Sequence, residues 1–469
     1  MRLIPGTANV LSDAEVKAIH RGALRILAEV GMCIENEDIL PHLEGYGGQV
    51  DYARQRVFYK PEIVERFLAD TKKLGWSTFA PYVSASAGVF YGMYLDPETS
   101  ELLPWNEERL VHYMTLAQAL PNVGSVGMLG CPIGVIPQLE PLYERLYCWQ
   151  YGAHESGAIH LDELCPYILD LYEMRAQQLG KPLREVFRGT AYLVPPLKLG
   201  RHEAYQYLYF YQRGLQVHLG DQYAMGATSP VTMAGSVALS LAEQLAVGIM
   251  QRAFFGGDTF SLSSSISPLD MRTLIYPYGR PEMAYTNMIM AQMARFYQLP
   301  FSGHAGLADA KMPSCEAGAQ KALTAIPTLL AGGHVNIAAG LLSIDEVFSP
   351  VQMILDNDFC GSLKHMCKEF AADEEGLALD VIAEVGPGGN YMASEHTARY
   401  FRGELWEPRV WSRQMLASWR ESGRRLDVDY AKEVYHGMLP ELEVRPRLPE
   451  EEEQDIRALI ERAGSELRL

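Results

Sequence analysis

The chain has 469 residues, 48% of them hydrophobic, and a formal net charge of −18 at pH 7. That is enough apolar material for a large core, and the acidic balance works against nucleic-acid binding, which needs a basic surface. No basic-then-apolar leader opens the sequence, the apolar runs are interrupted by charge or too short to span a bilayer, and seven cysteines without CxxC pairs argue against a disulfide framework, so a cytoplasmic, reduced protein is expected.

Ser12 and Glu15 spell a capping box, followed by Val16, Ile19, Ala23, Leu24, Leu27 and Val30 at helical spacing. Residues 77–105 read as a hairpin, with short apolar runs broken by Gly88, Gly92 and the Asp96-Pro97 turn. Beyond about residue 120, short apolar runs alternate with helical patterns, the mark of a parallel sheet. Strands are predicted at 123–129, 157–160, 190–195, 215–219, 258–263, 300–304 and 334–338, with 77–83 as the candidate for an eighth. Ser229-Pro230 and Arg280-Pro281-Glu282 read as helix entrances. The run from Thr232 to Phe255 contains Glu243 and Gln244 and reads as a buried helix, and the acids Glu450 to Glu453 as the first turn of the last one. The expected fold class is α/β, a TIM (β/α)8 barrel over residues 121–385. A helical and hairpin region over 1–120 packs on it, and a loop and helical region over 386–469 follows.

Leu299 to Gly318, LPFSGHAGLADAKMPSCEAG, reads as a strand that empties through a polar, glycine-loosened loop into a helix. In an α/β barrel that passage carries catalytic groups, which makes His304, Asp309 and Lys311 the candidate catalytic residues. The alternative is that Gly303, Gly306 and Pro313 merely turn the chain, and that His304 is a satisfied core histidine.

The same segment, taken with TSPVTMAGSVAL (228–239), SPLDMRTLIYPYGRPEMA (267–284) and EVGPGGNYMASEHTARYFRGELWEPRVW (384–411), resembles the trimethylamine methyltransferase family in order and spacing. LSDAEVKAIHRGALRILAEVG resembles that family's opening helix, so the likeness covers nearly the whole chain. The resemblance implies transfer of a methyl group from a methylated amine to the cobalt of a corrinoid, a cobalamin carried by a separate partner protein. No pyrrolysine occurs, which points to the pyrrolysine-free branch acting on quaternary amines such as glycine betaine, proline betaine and carnitine. A homo-oligomer is expected, with no nucleic-acid or membrane partner.

A quaternary nitrogen has no N–H, so its site relies on aromatic faces. Tyr91, Tyr94, Tyr223, Phe348 and Tyr391 are the candidate walls, each with core or surface packing as the alternative. A betaine carboxylate asks for a donor, and His304, Lys311, Arg272 and Arg280 are available, although Arg272 stands close enough to Asp270 to pair with it. The departing amine is neutral and needs no proton donor, which suits a chain without a G-x-S-x-G motif. No D-x-H-x-x-G sequence is present to seat a corrinoid, hence the expected partner. Gly386, Gly388 and Gly389 read either as backbone that approaches a phosphate or corrin edge or as a plain loop. Asn390 stands where many relatives place histidine. Cys131, His160, His304 and Cys315 lie near strand ends without a ligand cluster, so no zinc is expected. The rival readings are the same fold acting on a different methyl donor, and a non-catalytic quaternary-amine binding protein.

Overall fold

The computed structural model describes residues 8–76, 79–88 and 92–469. The architecture is mixed α/β, and parallel strands at its centre follow one another in sequence. Val83–Ala87 lies parallel to Val123–Val126. His154 donates its backbone N–H to the Val126 carbonyl at 2.7 Å, and Ala158 bridges to Thr190. Gly189–Tyr192 is parallel to Val217–Gly220, and Tyr223–Met225 to Ile266–Pro268. Leu262–Ser264 is parallel to Phe301–Gly303, Ser302 bridges to His334, and Val335–Ala338 returns to Val83–Ala87.

Most predicted strands are found close to their places; the one expected at 258–263 begins only at Leu262, and two others differ further. The segment at 157–160 contributes only the Ala158 bridge. The strand sought at 77–83 begins at Val83 instead, and residues 77 and 78 lie outside those described. It is a central strand although it falls within the stretch assigned to the N-terminal region. The hairpin is present further on: Met93–Leu95 pairs antiparallel with Leu102–Leu103 across a turn in which Asp96 accepts the backbone N–H groups of Glu98 and Thr99.

Residues alternate sharply along these strands. In Val83–Ala87 the buried Val83, Ala85 and Ala87 face the helical layer, and Ser84 and Ser86 occupy the other face. Likewise Val217 and Leu219 are buried around an exposed His218, and Val335 and Ile337 around an exposed Asn336, which donates to Ser86 Oγ at 2.7 Å. Ser302 is exposed between buried Phe301 and Gly303. The inner face of the parallel strands is therefore small, polar and reachable by solvent, where aliphatic layers would usually fill it.

The outer helices carry the apolar burial. Asp13–Glu29 starts with the Ser12–Glu15 capping box, buries Val16, Ile19, Ala23, Leu24 and Leu27, and packs on Met233–Phe255. That second helix alone among the described residues is long and apolar enough to cross a membrane, and 83% of its apolar window is buried inside the protein. It begins three residues later than Ser229-Pro230 suggested, with Thr232 at the cap position, and Ser229 and Ser236 bond to each other through their hydroxyls at 2.6 Å. Gln244 on this helix takes the place of a strand neighbour: its amide donates to the Ser263 carbonyl at 3.0 Å and accepts the Ser263 N–H at 2.9 Å. Pro281 does stand at the first turn of Pro281–Tyr297. Glu450–Leu467, with its four leading acids, packs on Glu140–Tyr151 and Cys165–Leu179.

One buried ion pair ties the outer layer to a strand end. Lys321 donates to Asp356 Oδ2 at 2.7 Å and to the Ala338 carbonyl at 2.6 Å, and the same carboxylate accepts from Gly340 N at 2.8 Å and Gln352 Nε2 at 2.8 Å. Burial works against both charges, lowering the Lys321 pKa and raising that of Asp356, and the pairing offsets this. Removing one partner leaves the other charged and dry. Lys321→Met is expected to cost about 3–5 kcal/mol in urea unfolding, and Lys321→Met combined with Asp356→Leu clearly less than Asp356→Leu and Lys321→Met added together.

Candidate functional site

The loops that leave the carboxyl ends of the strands bring together Tyr276, Tyr278, His304 and Asp345. The Tyr278 hydroxyl donates to Asp345 Oδ2 at 2.6 Å, and its ring meets His304 edge-on with centroids 5.0 Å apart. Tyr276 donates to the Ser265 carbonyl at 2.7 Å and crosses the Tyr278 ring at 5.8 Å. Burial raises the Asp345 pKa, and the hydrogen bond from Tyr278 holds it partly down. His304 has its backbone fixed on both sides, N–H to the Ser264 carbonyl at 2.9 Å and carbonyl to Asn287 Nδ2 at 2.9 Å. Its Nδ1 is buried and unpartnered, and burial pulls its pKa down to about 4. The ring is neutral near pH 7, so it offers a hydrogen bond and no charge.

Asp309 is adjacent but faces backward. Its carboxylate accepts the backbone N–H groups of Tyr278 at 2.6 Å and Gly279 at 2.9 Å, so it sets the loop that carries the tyrosine. That is a positioning role. Lys311 is exposed and its ammonium donates to the Asp309 carbonyl at 2.9 Å. Arg272 is exposed; Asp270 accepts its backbone N–H and makes its ion pair with Arg280, which is also paired with Glu282.

The expected aromatic walls are corrected by burial. Tyr94, 4% exposed, packs against Trp105 and Tyr113, and Phe348 joins the same cluster, so both belong to the core and present no face to a ligand. Tyr91 lies outside the described residues. Tyr391 is exposed in a long C-terminal excursion, and its carbonyl accepts the N–H of Ser394 at 3.0 Å. The glycines beside it shape the local backbone. Gly386 ends the Leu379–Val385 helix at φ 64°, Gly388 follows at φ 78°, Gly389 donates to the Gly386 carbonyl, and Asn390 accepts from Met392 N at 2.8 Å. These bonds describe a helix stop and turn.

An aromatic wall that the sequence reading missed is Tyr192. It ends Gly189–Tyr192 on the inner face, is 57% exposed, and its ring lies over Gly220, where an added Cβ would come within 2.9 Å of Cδ1. The glycine is what admits the ring. Nearby, where Val217–Gly220 parts from Leu262–Ser264, a cavity of about 410 Å³ is lined by His218, Asp221, Gln244, Phe260 and Ser263, a size suited to a small organic ligand.

Also unforeseen is a buried acidic pair. Tyr223 is fully buried beside Asp221 and Glu243, which removes it from the cage and makes it a spacer between two carboxyls. Glu243 accepts Leu197 N–H at 2.6 Å. Burial pushes Asp221 up to about 6 and Glu243 up to about 7. A carboxylate inside the apolar helix 233–255 was the available signal. Among the described residues, no group of three or more His, Cys, Asp or Glu side chains is placed to hold a metal ion.

Residues 181–467 match the family model described as trimethylamine methyltransferase (MTTB). The chain belongs to this family. It is 24% identical to trimethylamine methyltransferase MttB of Desulfitobacterium hafniense (strain DSM 10664 / DCB-2), with 97% of this chain and 94% of that protein covered. It is 26% identical to a glycine betaine methyltransferase of Desulfitobacterium hafniense (strain Y51), with 98% of each covered. Trimethylamine methyltransferase MttB of Methanosarcina thermophila is 28% identical, over 93% of this chain and 94% of its own. The family and these relatives make the protein a methyltransferase.

Two outcomes follow from the site. Tyr192→Leu should raise the half-saturation constant for the methyl donor about ten-fold or more by removing the exposed aromatic face over Gly220, with unchanged circular dichroism, whereas Tyr94→Leu should lower the melting temperature and leave that constant alone. The acidic pair gives a pH dependence with a definite sign. In the folded chain Glu243 keeps its proton up to about 7, whereas an unfolded glutamate has lost it, so the folded state binds more protons and stability falls as pH rises from the ordinary carboxylate range through about 7. The urea midpoint of the native protein should drop over that interval, and Glu243→Gln should flatten the drop.

Proposed function

We propose that this methyltransferase takes a methyl group from a small quaternary amine, such as glycine betaine, proline betaine or carnitine, and passes it to a corrinoid held by a separate protein. The observation that carries the reading is the open, polar inner face of the strands, with Tyr192 exposed on it and the Tyr276–Tyr278–His304–Asp345 cluster at its carboxyl end. The activities of the relatives, trimethylamine and glycine betaine methyl transfer, support the methylated-amine class. We take the parallel strands as a closed (β/α)8 barrel, since the segments from Val83 to Ala338 follow one another around the set, with Tyr223–Met225 and Ile266–Pro268 making the join where Val217–Gly220 and Leu262–Ser264 part, and the last returns to the first. Its carboxyl-end rim then serves as the active face.

The chemistry suits these residues. A methyl leaves a quaternary nitrogen as the C–N bond breaks, and the nitrogen keeps the electron pair as a neutral tertiary amine, so no acid is required. A corrinoid supplies the nucleophile when its carrier docks. This chain supplies aromatic contact to the cation, a neutral His304 as a hydrogen-bond donor toward a substrate carboxylate, and exclusion of water. The exposed Ile133, Val231, Met271, Leu274 and Met312 all lie on loops beyond strand ends and give a carrier protein apolar contacts to seat on. A cytoplasmic location fits this partnership.

The test is methyl transfer with free cob(I)alamin, followed as loss of its absorption, across glycine betaine, proline betaine, carnitine, γ-butyrobetaine, trimethylamine and dimethylglycine. Turnover is expected on one of the quaternary compounds, with little on the two tertiary amines. Comparable initial rates on trimethylamine would overturn the substrate class, and no turnover on any quaternary compound would direct the search to another methyl donor.

A further inference from the structure

The chain between the Pro350–Met366 helix and the Asp427–Met438 helix leaves the body as a long arm. It contains four helices, Glu374–Leu377, Leu379–Val385, Glu395–Glu404 and Leu416–Glu421, and none of them has a buried residue. Of residues 368–430 only Val410 is buried. The arm is anchored near its middle, where Asp358 accepts the backbone N–H groups of Arg409 and Val410, and where Lys368 and His365 bond the carbonyls of Gly403 and Glu404. On either side of the anchor it presents large apolar side chains to solvent: Leu379, Ile382 and Met392 before it, and Leu405, Met415 and Leu416 after it, with Met392 84% and Met415 80% exposed. A segment of this length with no core of its own must find one elsewhere.

Its charge says where. Residues 369–395 carry seven Asp or Glu and no Lys or Arg, whereas residues 399–425 carry seven Arg and three Glu. The acidic and basic halves are thus joined on one arm. Asp380 and Glu384 in the first half, and Arg413, Arg420 and Arg424 in the second, make no ion pair within the chain among the described residues. A two-fold axis through such an arm sets the acidic half of one copy against the basic half of the other, twice, and closes the apolar faces between them. That is an isologous contact satisfied by one kind of chain. A different partner would have to match both signs in the right order.

We propose that residues 369–426 form a two-fold dimer interface with the same segment of a second copy of this chain. The contact is remote in sequence from the rim loops and leaves them free for a carrier protein.

The test is the mass of the full-length protein in solution, by size-exclusion chromatography with light scattering at micromolar concentration. The native chain should show twice the mass of one chain or an even multiple of it. Asp380→Lys with Glu384→Lys should halve that mass, and adding Arg413→Glu, Arg420→Glu and Arg424→Glu to the same chain should restore it. Met392→Asp with Met415→Asp should also halve it, with circular dichroism retained. A native protein with the mass of one chain, or a native-like mass in both the acidic-half and the methionine variants, would overturn the interface. Failure of the five-fold variant to recover the mass would overturn the antiparallel pairing of the halves.

Discussion

The organisation of this protein depends on a division of labour along its parallel strands. These strands send most of their apolar side chains outward, against the helices, and keep the inner positions mainly for serine, threonine, histidine, asparagine or glycine, with Tyr192 the aromatic exception. Most of the strands' hydrophobic stabilisation therefore comes from the outer layer, and the interior is left as working space. Compensation is visible where the sheet is weakest. Gln244 supplies the hydrogen bonds of an absent strand neighbour, and Lys321 with Asp356 fixes the end of Val335–Ala338 to two helices.

The rim shows the same separation of roles. By accepting two successive backbone N–H groups Asp309 determines where Tyr278 stands, and Tyr278 in turn restrains both Asp345 and His304. The histidine is kept neutral by burial, so this corner offers shape and hydrogen bonding and no positive charge. Burial acts in the opposite sense on two carboxyl groups, pushing Asp221 up to about 6 and Glu243 up to about 7 and so favouring their uncharged forms.

Much of the fold was legible in the sequence because its signals are local. The capping box at Ser12, the Asp96 turn and the spaced apolar runs each specify geometry within a few residues, and they were found in place. The site was less legible because it depends on which face a side chain takes. Tyr94, Tyr223 and Phe348 have the right chemistry for a cage but sit at buried positions, and nothing local separates them from Tyr192 except the alternation of its strand and the glycine opposite. The period of two in Val83–Ala87 and Val217–Gly220 held that information. It is unusual for parallel strands, which commonly read as continuous apolar runs when both faces are buried. Asp309 and Lys311 were placed in the right loop; what spacing could not reveal was that one side chain turns to the backbone and the other to solvent.

The open inner face has a consequence for how such a protein can change. Ser84, Thr190, His218 and Ser302 pack against no hydrophobic layer, so replacing them removes little buried apolar surface and leaves the outer core as it is. Substitutions there are nearly free of the stability threshold that constrains most interior positions. A scaffold of this kind can be re-lined for one small ligand after another while its fold stays intact, and specificity becomes the part of the molecule that drifts most easily.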